Sequence, residues 1–319
     1  MKQTGKAVEE LAAKLVDNYK FNRNIVGNGT NSFDIPNQKV VFILGAGASH
    51  AAAGLPLGKE LAADLIHKLN CKTGEGKKQF DDLLLHMEQT YGFDKDDFKT
   101  ILFSLNQINS ETLVDFVQDA LLNKFAKNIS YEFVAKLLYE KHIDAVINFN
   151  FDEILDTNIQ EQFSDNSKHI NVFSDDTCPS ELSSLINQYN RFHHPVYIKP
   201  HGTISQRKSL RFARKDFYQI EPLQKKLIED LLSHTPVNLV IVGFRLKFFE
   251  FSKIIVKSLL PGSQIFIVDK NEDILDPHIT QFYQGNFLKV TDENSLDDIM
   301  LSLSEALSNK MEKQSIHVS

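Results

Sequence analysis

The chain has only two cysteines, Cys71 and Cys178, among its 319 residues. Two cysteines cannot build a disulfide framework, and they cannot supply the four thiolates of a structural zinc site. No apolar run approaches the roughly 20 residues that are needed to span a bilayer. Met1–Lys20 is charged throughout, which favours an amphipathic helix over a signal peptide. We therefore expect a cytoplasmic protein that holds no metal and makes no membrane contact.

An excess of positive charge is also missing. The formal net charge is −7 at pH 7, which argues against a general nucleic-acid surface. One basic group consists of Arg207 and Lys208 with Arg211, Arg214 and Lys215. We expect this group to flank an anionic ligand or to be solvated, and we expect no direct nucleic-acid binding.

The most informative segment is Val40–Pro56, where an apolar run rich in β-branched residues meets Gly45-Ala46-Gly47. A strand that turns sharply into a helix aims unpaired backbone N–H groups and the helix's positive end at one point, which suits a pyrophosphate. Ser49 can add a hydroxyl donor. His50 stands where a dinucleotide fingerprint has its third glycine, and the Gly-Lys-Ser/Thr ending of a Walker A loop is absent. A glycine turn used only for packing is the alternative.

Short apolar runs recur along the chain, with helical or irregular stretches between them. Most are apolar throughout, which is typical of strands covered on both faces. The pattern predicts an α/β fold with a Rossmann-like, mainly parallel sheet and helices on both faces. The functional crevice should lie at the carboxyl ends of the strands. The predicted strands are Val40–Leu44, Ile143–Asn148, Val196–Lys199, Leu239–Val242, Gln264–Val268 and Asn286–Val290.

The stretch between the first two strands is longer than one crossover helix requires. We predict a helical insertion at about 58–141 that forms a smaller module beside the cleft, as a gate, an oligomer interface or both. Residues 165–194, rich in Ser, Asn and Asp, are predicted to form an irregular loop over the site, and Leu296–Met311 a closing helix. The helices predicted within the insertion are Lys59–Asn70, Lys77–Gln89, Asp96–Gln107, Glu111–Lys127 and Tyr131–Lys141.

Polar residues follow the second and third predicted strands. Asn150 and Asp152 alternate with Phe149 and Phe151, so both should leave the strand end towards the crevice. Capping of the next helix is the alternative role for Asp152. His201 lies before a glycine at the end of the third strand, where a ring that titrates near neutral pH can act as a base.

The ends of the fourth and fifth predicted strands contribute weaker candidates. Gly243 ends the fourth strand. Asp269 and Asn271 end the fifth, where the carboxylate can accept hydrogen bonds from a ribose or can simply form a turn. Five strand ends that meet at one crevice are stronger evidence than any single motif.

Taken in order, these segments resemble the sirtuin-like family, which includes the NAD-dependent sirtuin deacylases. The resemblance spans about 230 residues, and the first three of its five segments form a fairly specific trio. The matching segments are Gly45–Ser49 with Gly54–Pro56, Asn150–Asp152, Lys199–Gly202, Val242–Phe244 and Ile267–Asn271.

The resemblance implies an NAD⁺ site, with NAD⁺ as substrate. It places the pyrophosphate against Gly45, Ala46, Gly47 and Ser49, and it places Asn150 and Asp152 near the nicotinamide ribose. His201 is implied as the base that acts on a ribose hydroxyl or on water. Gly243, Asp269 and Asn271 complete the implied cofactor-binding set.

Departures from the deacylase pattern indicate which branch of the family the chain resembles. Leu57-Gly58-Lys59 stands where deacylases have Asp-Phe-Arg, and the two cysteines cannot form their zinc module. Arg245–Phe248 replaces the Ser-Leu-x-Asp that many relatives show after the fourth strand. The chain therefore resembles most closely the bacterial antiphage-defence effectors that hydrolyse NAD⁺.

The resemblance favours an NAD⁺ glycohydrolase over two alternatives. These are a protein deacylase or ADP-ribosyltransferase, and a non-catalytic nucleotide-sensing module. Residues 1–38 are predicted to form an N-terminal helical segment, 39–292 the NAD-binding domain and 293–319 a C-terminal helix and tail. The resemblance also implies a homo-oligomer or a partner such as a HerA-like ATPase or a short Argonaute.

Overall fold

The computed structural model describes most of the chain. The predicted helix Asp96–Gln107 lies outside the described residues, as do both cysteines and Arg211, Arg214 and Lys215. The described residues are 2–27, 38–57, 60–61, 63–65, 67, 74–91, 111, 113–121, 128–164, 170–173, 194–210, 222–244, 249–271, 279–291 and 294–316.

Helices with defined bounds precede, separate and follow the strands in the described part of the chain. They are α1 (Lys2–Gly27), α2 (Ala46–Ala53), α3 (Gly74–Tyr91), α4 (Ile129–Tyr139), α5 (Ile154–Gln162), α6 (Pro222–Leu232), α7 (Phe249–Ser258) and α8 (Leu296–Ile316). Residues 113–121 are also helical, as are the described residues between 60 and 67. No described helix is both long and apolar enough to cross a membrane.

All strands of the sheet run parallel. The strands are β1 (Lys39–Leu44), β2 (Ala145–Asn148), β3 (Asn171–Phe173), β4 (Val196–Ile198), β5 (Val237–Val242), β6 (Gln264–Asp269) and β7 (Tyr283–Lys289). Their order across the sheet is β3-β4-β2-β1-β5-β6-β7, and every pair is parallel. The predicted α/β fold with a Rossmann-like parallel sheet is confirmed.

The order of strands reverses at β1. From β1 the chain builds β2, β4 and β3 on one side, and it returns to place β5 directly on the other side of β1. In parallel sheets such a switch point opens a crevice at the carboxyl ends of the two strands. The turns after β1 and β5 therefore lie together at that end of the sheet.

Helices cover both faces of the sheet, because residues along β1 alternate between two cores. Val41 and Ile43 pack into a core with α6, α7 and residues 113–117. Val40 and Phe42 pack into a core with α1, α4, α5 and α8. Strands that are buried on both faces explain why their sequences are apolar throughout.

The structure differs from the sequence predictions within the stretch 165–194. Residues 171–173 form the edge strand β3, which pairs with β4, so the prediction of an irregular loop is wrong there. A strand of three residues is too short to show a hydrophobic period.

The stretch predicted as a helical insertion contributes to both cores. Its last helix, α4, is the crossover helix that packs on the sheet. Leu61, Leu65 and Leu113 pack in the core on the opposite face. The module boundary at 58–141 stays a prediction.

Candidate functional site

The turns after β1 and β5 interlock through glycines. Gly45 N–H donates to the carbonyl of Val242 at 3.0 Å, and Gly47 N–H donates to that of Gly243 at 2.9 Å. A Cβ on Gly47 would lie 2.8 Å from Gly243 Cα, and one on Gly243 would lie 2.2 Å from Ala48 N. Gly243 also has φ +58°, a conformation that favours glycine. These glycines allow the two backbones to touch.

The same contacts correct the expectation that the start of α2 carries unpaired N–H groups. Gly47 N–H is bonded to Gly243, and Ala48 N–H donates to the Gly45 carbonyl at 2.8 Å. Ala46 is exposed at the first position of the helix. The packing role that was the alternative for these glycines is therefore present, and the pyrophosphate contact stays a prediction centred on Ala46.

A buried polar cluster lies beside this turn, and it consists of Ser49, Tyr131, Asn150 and Asp152. Ser49 Oγ donates to Asp152 Oδ2 at 2.6 Å and lies 2.7 Å from the Tyr131 hydroxyl. Asn150 Nδ2 donates to the Gly45 carbonyl at 2.9 Å and to Ser49 Oγ at 2.8 Å. The structure thus joins the first two strand ends directly, as predicted. Ser49 gives its hydrogen bond to Asp152, in contrast to its expected role as a phosphate donor.

Asp152 acts as an anchor on both of its oxygens. Oδ2 accepts from Ser49, and Oδ1 accepts the N–H of Ile154 at 3.2 Å, in the first turn of α5. Asp152 therefore accepts the first N–H of α5 from the position before Glu153, the N-cap residue, and a catalytic role stays a prediction. Burial raises the pKa of this carboxyl, while Ser49 and the Lys199 ammonium act in the opposite direction.

Lys199 is a buried cation behind the cluster, with a 1% exposed side chain. Its Nζ donates to the Asp152 carbonyl at 2.7 Å and to Asp156 Oδ2 at 2.9 Å. The Tyr197 hydroxyl donates to the same Asp156 oxygen at 3.0 Å and accepts from Asn148 Nδ2 at 3.0 Å. Paired in this way, the cation fixes the end of β4 against the start of α5.

His201 lies on the other side of the β2 end, among aromatic rings. Its ring is 5.0 Å from that of Phe149, edge to face, and 6.0 Å from that of Phe151. Phe149 in turn stacks on Phe244, which follows β5, at 4.5 Å. His201 is 6% exposed. It therefore lies beside Phe149, the residue before Asn150. Phe149 packs in the core on one face of the sheet, and Tyr131, which contacts Ser49, packs in the core on the other face.

The last two candidates lie at the end of β6. Asp269 Oδ1 accepts the N–H of Asn271 at 3.0 Å, which is the turn-forming role that the sequence left open. Asn271 is exposed. A ribose contact by either residue stays a prediction. Within the described residues, no group of three or more His, Cys, Asp and Glu side chains could hold a metal ion.

Sequence reasoning missed Tyr131. It lies in the first turn of α4 and is 2% exposed, with its hydroxyl in the polar cluster. No motif surrounds it, and Ser49 is 82 residues away along the chain. Its only signal was a tyrosine on an otherwise apolar helix face, since a buried tyrosine hydroxyl needs a hydrogen-bond partner.

Comparison with known proteins gives one family match. Residues 144–290 match the family model described as a SIR2-like domain. That stretch runs from the residue before β2 to the residue after β7, and it includes Asn150, Asp152, His201 and Gly243. The Gly45–Ser49 turn lies outside it. No curated protein sequence matches the chain.

Two solved structures are similar in shape. One comes from work on the mechanism and regulation of Sir2 enzymes and is 14% identical in sequence. The match covers 98% of this chain and 100% of the chain in that structure, with a TM-score of 0.47. The other comes from work on sirtuin substrate affinity and is 13% identical in sequence. The match covers 85% of this chain and 93% of the chain in that structure, with a TM-score of 0.42. The similarity to the SIR2-like domain family rests on the match of residues 144–290, which hold the strand ends of β2, β4, β5 and β6.

Proposed function

We propose that the chain is an NAD⁺ glycohydrolase that cleaves the nicotinamide–ribose bond to give nicotinamide and ADP-ribose. The observation that carries this proposal is the buried cluster of Ser49, Asn150 and Asp152 at the carboxyl ends of β1 and β2. The match of residues 144–290 to the SIR2-like domain supports it.

The orientation of the Asn150 amide suits contact with a ribose or a water molecule. Its Nδ2 is directed at Gly45 and Ser49, so Oδ1 points the opposite way. Among the described residues, no donor reaches Asn150 Oδ1. An amide oxygen in this position can accept a hydrogen bond from the attacking water.

The proposed reaction balances without a strong general acid. Water attacks C1′ of the nicotinamide ribose, and the bond from C1′ to the pyridinium nitrogen breaks. Its electron pair stays on the nitrogen, so nicotinamide leaves as a neutral molecule. The transition state resembles an oxocarbenium ion, which nearby acceptor oxygens and carboxylates stabilise. His201 takes the proton of the water in this proposal, and Asp152 acts through Ser49.

The rest of the dinucleotide is assigned to the switch-point crevice. Ala46, exposed beside Gly45 and Gly47, is proposed to meet the pyrophosphate at the positive end of α2. Gly243 shapes the opposite wall through its contact with Gly47. Asp269 and Asn271 at the end of β6 are proposed to meet the second ribose.

The biological role that we propose is depletion of NAD⁺ in antiphage defence. It is supported by the sequence departures from the deacylase pattern at Leu57–Lys59 and by the presence of only two cysteines. Such an activity needs restraint until infection. We propose that restraint comes from homo-oligomerisation or from a partner such as a HerA-like ATPase or a short Argonaute.

The test is nicotinamide release from NAD⁺ by the purified chain, with and without an acetyl-lysine peptide. We expect equal release in both conditions, with ADP-ribose formed in a one-to-one ratio. Release that requires the peptide would instead indicate a deacylase. Tight NAD⁺ binding without release, also in the presence of a co-purified partner, would indicate a sensing module.

A further inference from the structure

The Tyr131 hydroxyl contacts two members of the candidate site at once. It lies 2.7 Å from Ser49 Oγ and 3.3 Å from Asn150 Nδ2. The side chain is 2% exposed, and burial raises the pKa of its hydroxyl. It therefore stays protonated, and it can donate one hydrogen bond and accept others.

The direction of the hydrogen bonds follows from the donors available. An ionised Asp152 can only accept, so Ser49 gives its single hydrogen to Asp152 Oδ2. The lone pairs of Ser49 Oγ then accept from Asn150 Nδ2 and from Tyr131. Tyr131 is therefore the donor to Ser49. Asn150 Nδ2 has only two hydrogens; one goes to the Gly45 carbonyl, and the Tyr131 oxygen, at 3.3 Å, shares the other with Ser49 Oγ.

The position of Tyr131 is fixed by two contacts at the start of α4. The Asn128 side chain caps the helix by accepting the N–H of Tyr131 at 2.9 Å. Asp297 of α8 accepts the N–H of Ser130 at 3.1 Å. A side chain in a capped first turn, packed in the core, holds its hydroxyl in one place.

We propose that Tyr131 is a positioning residue for the candidate site. Its hydroxyl orders Ser49 towards Asp152 and keeps Nδ2 of Asn150 on the Gly45 side, so that Asn150 Oδ1 faces the substrate. This inference rests on the proposed function, because it assigns Tyr131 to the orientation of Asn150 in NAD⁺ cleavage.

The test is Tyr131→Phe, which removes one oxygen and keeps the ring. We expect kcat for nicotinamide release to fall about fivefold to tenfold, as the loss of one hydrogen bond predicts. KM for NAD⁺ should stay within a factor of about two, because the contact acts on the transition state. Tyr139→Phe is the matched control, since Tyr139 lies on the same helix with its ring against Phe163. We expect that control to leave both constants unchanged.

A second measurement follows the NMR signal of the Asn150 side-chain amide, which does not depend on NAD⁺ turnover. In protein labelled with ¹⁵N at asparagine, the Asn150 side-chain signal is assigned by its absence from Asn150→Ala. We expect this signal to shift in Tyr131→Phe and to stay in place in Tyr139→Phe.

The outcomes separate the two proposals. Wild-type turnover that is unchanged in Tyr131→Phe would overturn the positioning role and leave the proposed function intact. Absence of wild-type turnover would count against the proposed function, and the Asn150 signal would then decide about Tyr131. An unshifted signal in Tyr131→Phe would overturn the positioning role in that case as well.

Discussion

Asparagine–aspartate clusters lie at both ends of the sheet, and they differ in what their polar atoms bind. At the amino end, Asn18 Nδ2 donates to Asp144 Oδ2 at 3.0 Å and to the His142 carbonyl at 2.9 Å. Asp144 Oδ2 also accepts the N–H of Val40 at 2.8 Å. This cluster links α1 to the amino ends of β1 and β2, through the His142 carbonyl and the Val40 N–H.

At the carboxyl end the bonds run mainly between side chains. Ser49, Tyr131 and Asp152 hold one another, and together they orient Asn150. The Asn150 amide is held by its nitrogen, with its oxygen directed away from the cluster. Asn18 and Asn150 are both buried, so neither burial nor residue type can identify a site. Asn18 Oδ1 is also without a hydrogen-bond partner, and it is fully buried. The distinguishing feature of the carboxyl-end cluster is its place at the switch point of the sheet, beside the turns that follow β1 and β5.

The largest expected effect is a steric loss of folding stability, and it should differ most between the two ends of the sheet. Gly243→Ala at the carboxyl end would bring a Cβ to 2.2 Å from Ala48 N at φ +58°. We expect a loss of about 3 kcal/mol or more in the free energy of unfolding, measured by urea denaturation.

Gly262→Ala is the control at the amino end. Gly262 has φ +90°, but a Cβ added there would lie no closer than 3.6 Å to its nearest neighbour, Pro236 Cγ. Only the backbone strain of about 1 kcal/mol should remain there. Equal losses in the two variants would contradict the interlocked turns.

The next effect concerns His201 and His142, the histidines that are buried within the described part of the chain. His201→Ala should lower NAD⁺ turnover about a hundredfold or more, as expected for the loss of a general base. His142→Ala at the amino end removes a ring whose Nδ1 lies 3.2 Å from the Leu15 carbonyl. It should lower the unfolding temperature and leave turnover per folded molecule unchanged. Equal turnover in wild type and His201→Ala would remove His201 from the site.

The smallest effect is on the pH dependence of folding stability, which should have opposite signs for a buried group at each end of the sheet. Burial raises the pKa of Asp152 above its ordinary 3.8 and lowers that of Lys39 below its ordinary 10.5. As pH rises above 3.8 through the folded pKa of Asp152, the unfolded chain loses its proton first and stability falls. As pH rises through the folded pKa of Lys39 towards 10.5, the folded chain loses its proton first and stability rises.

Urea midpoints across pH test this response. The stability of wild type relative to Asp152→Asn should fall with rising pH in the first window. Relative to Lys39→Met, it should rise in the second. Parallel curves for wild type and one of these variants would show that burial does not shift the proton equilibrium of the residue replaced in that variant.

The sequence predicted the parts of the fold that depend on local pattern. The apolar runs located six of the described strands, and the polar residues after β2 indicated Asn150 and Asp152. Three features depended on distant contacts and were missed. The carbonyl of Gly243 accepts the N–H of Gly47. The Tyr131 hydroxyl contacts Ser49, which is 82 residues away along the chain. The strand β3 is defined by its pairing with β4. A single sequence carries no period or motif for such contacts.

The most direct test of the account is a paired measurement on the two asparagines. Asn150→Ala and Asn18→Ala should each lower stability by about 1 to 3 kcal/mol, because each leaves buried partners unsatisfied. NAD⁺ turnover should fall about a hundredfold in Asn150→Ala alone and stay at the wild-type value in Asn18→Ala. Equal turnover in the two variants would contradict the claim that the carboxyl-end cluster is the active site.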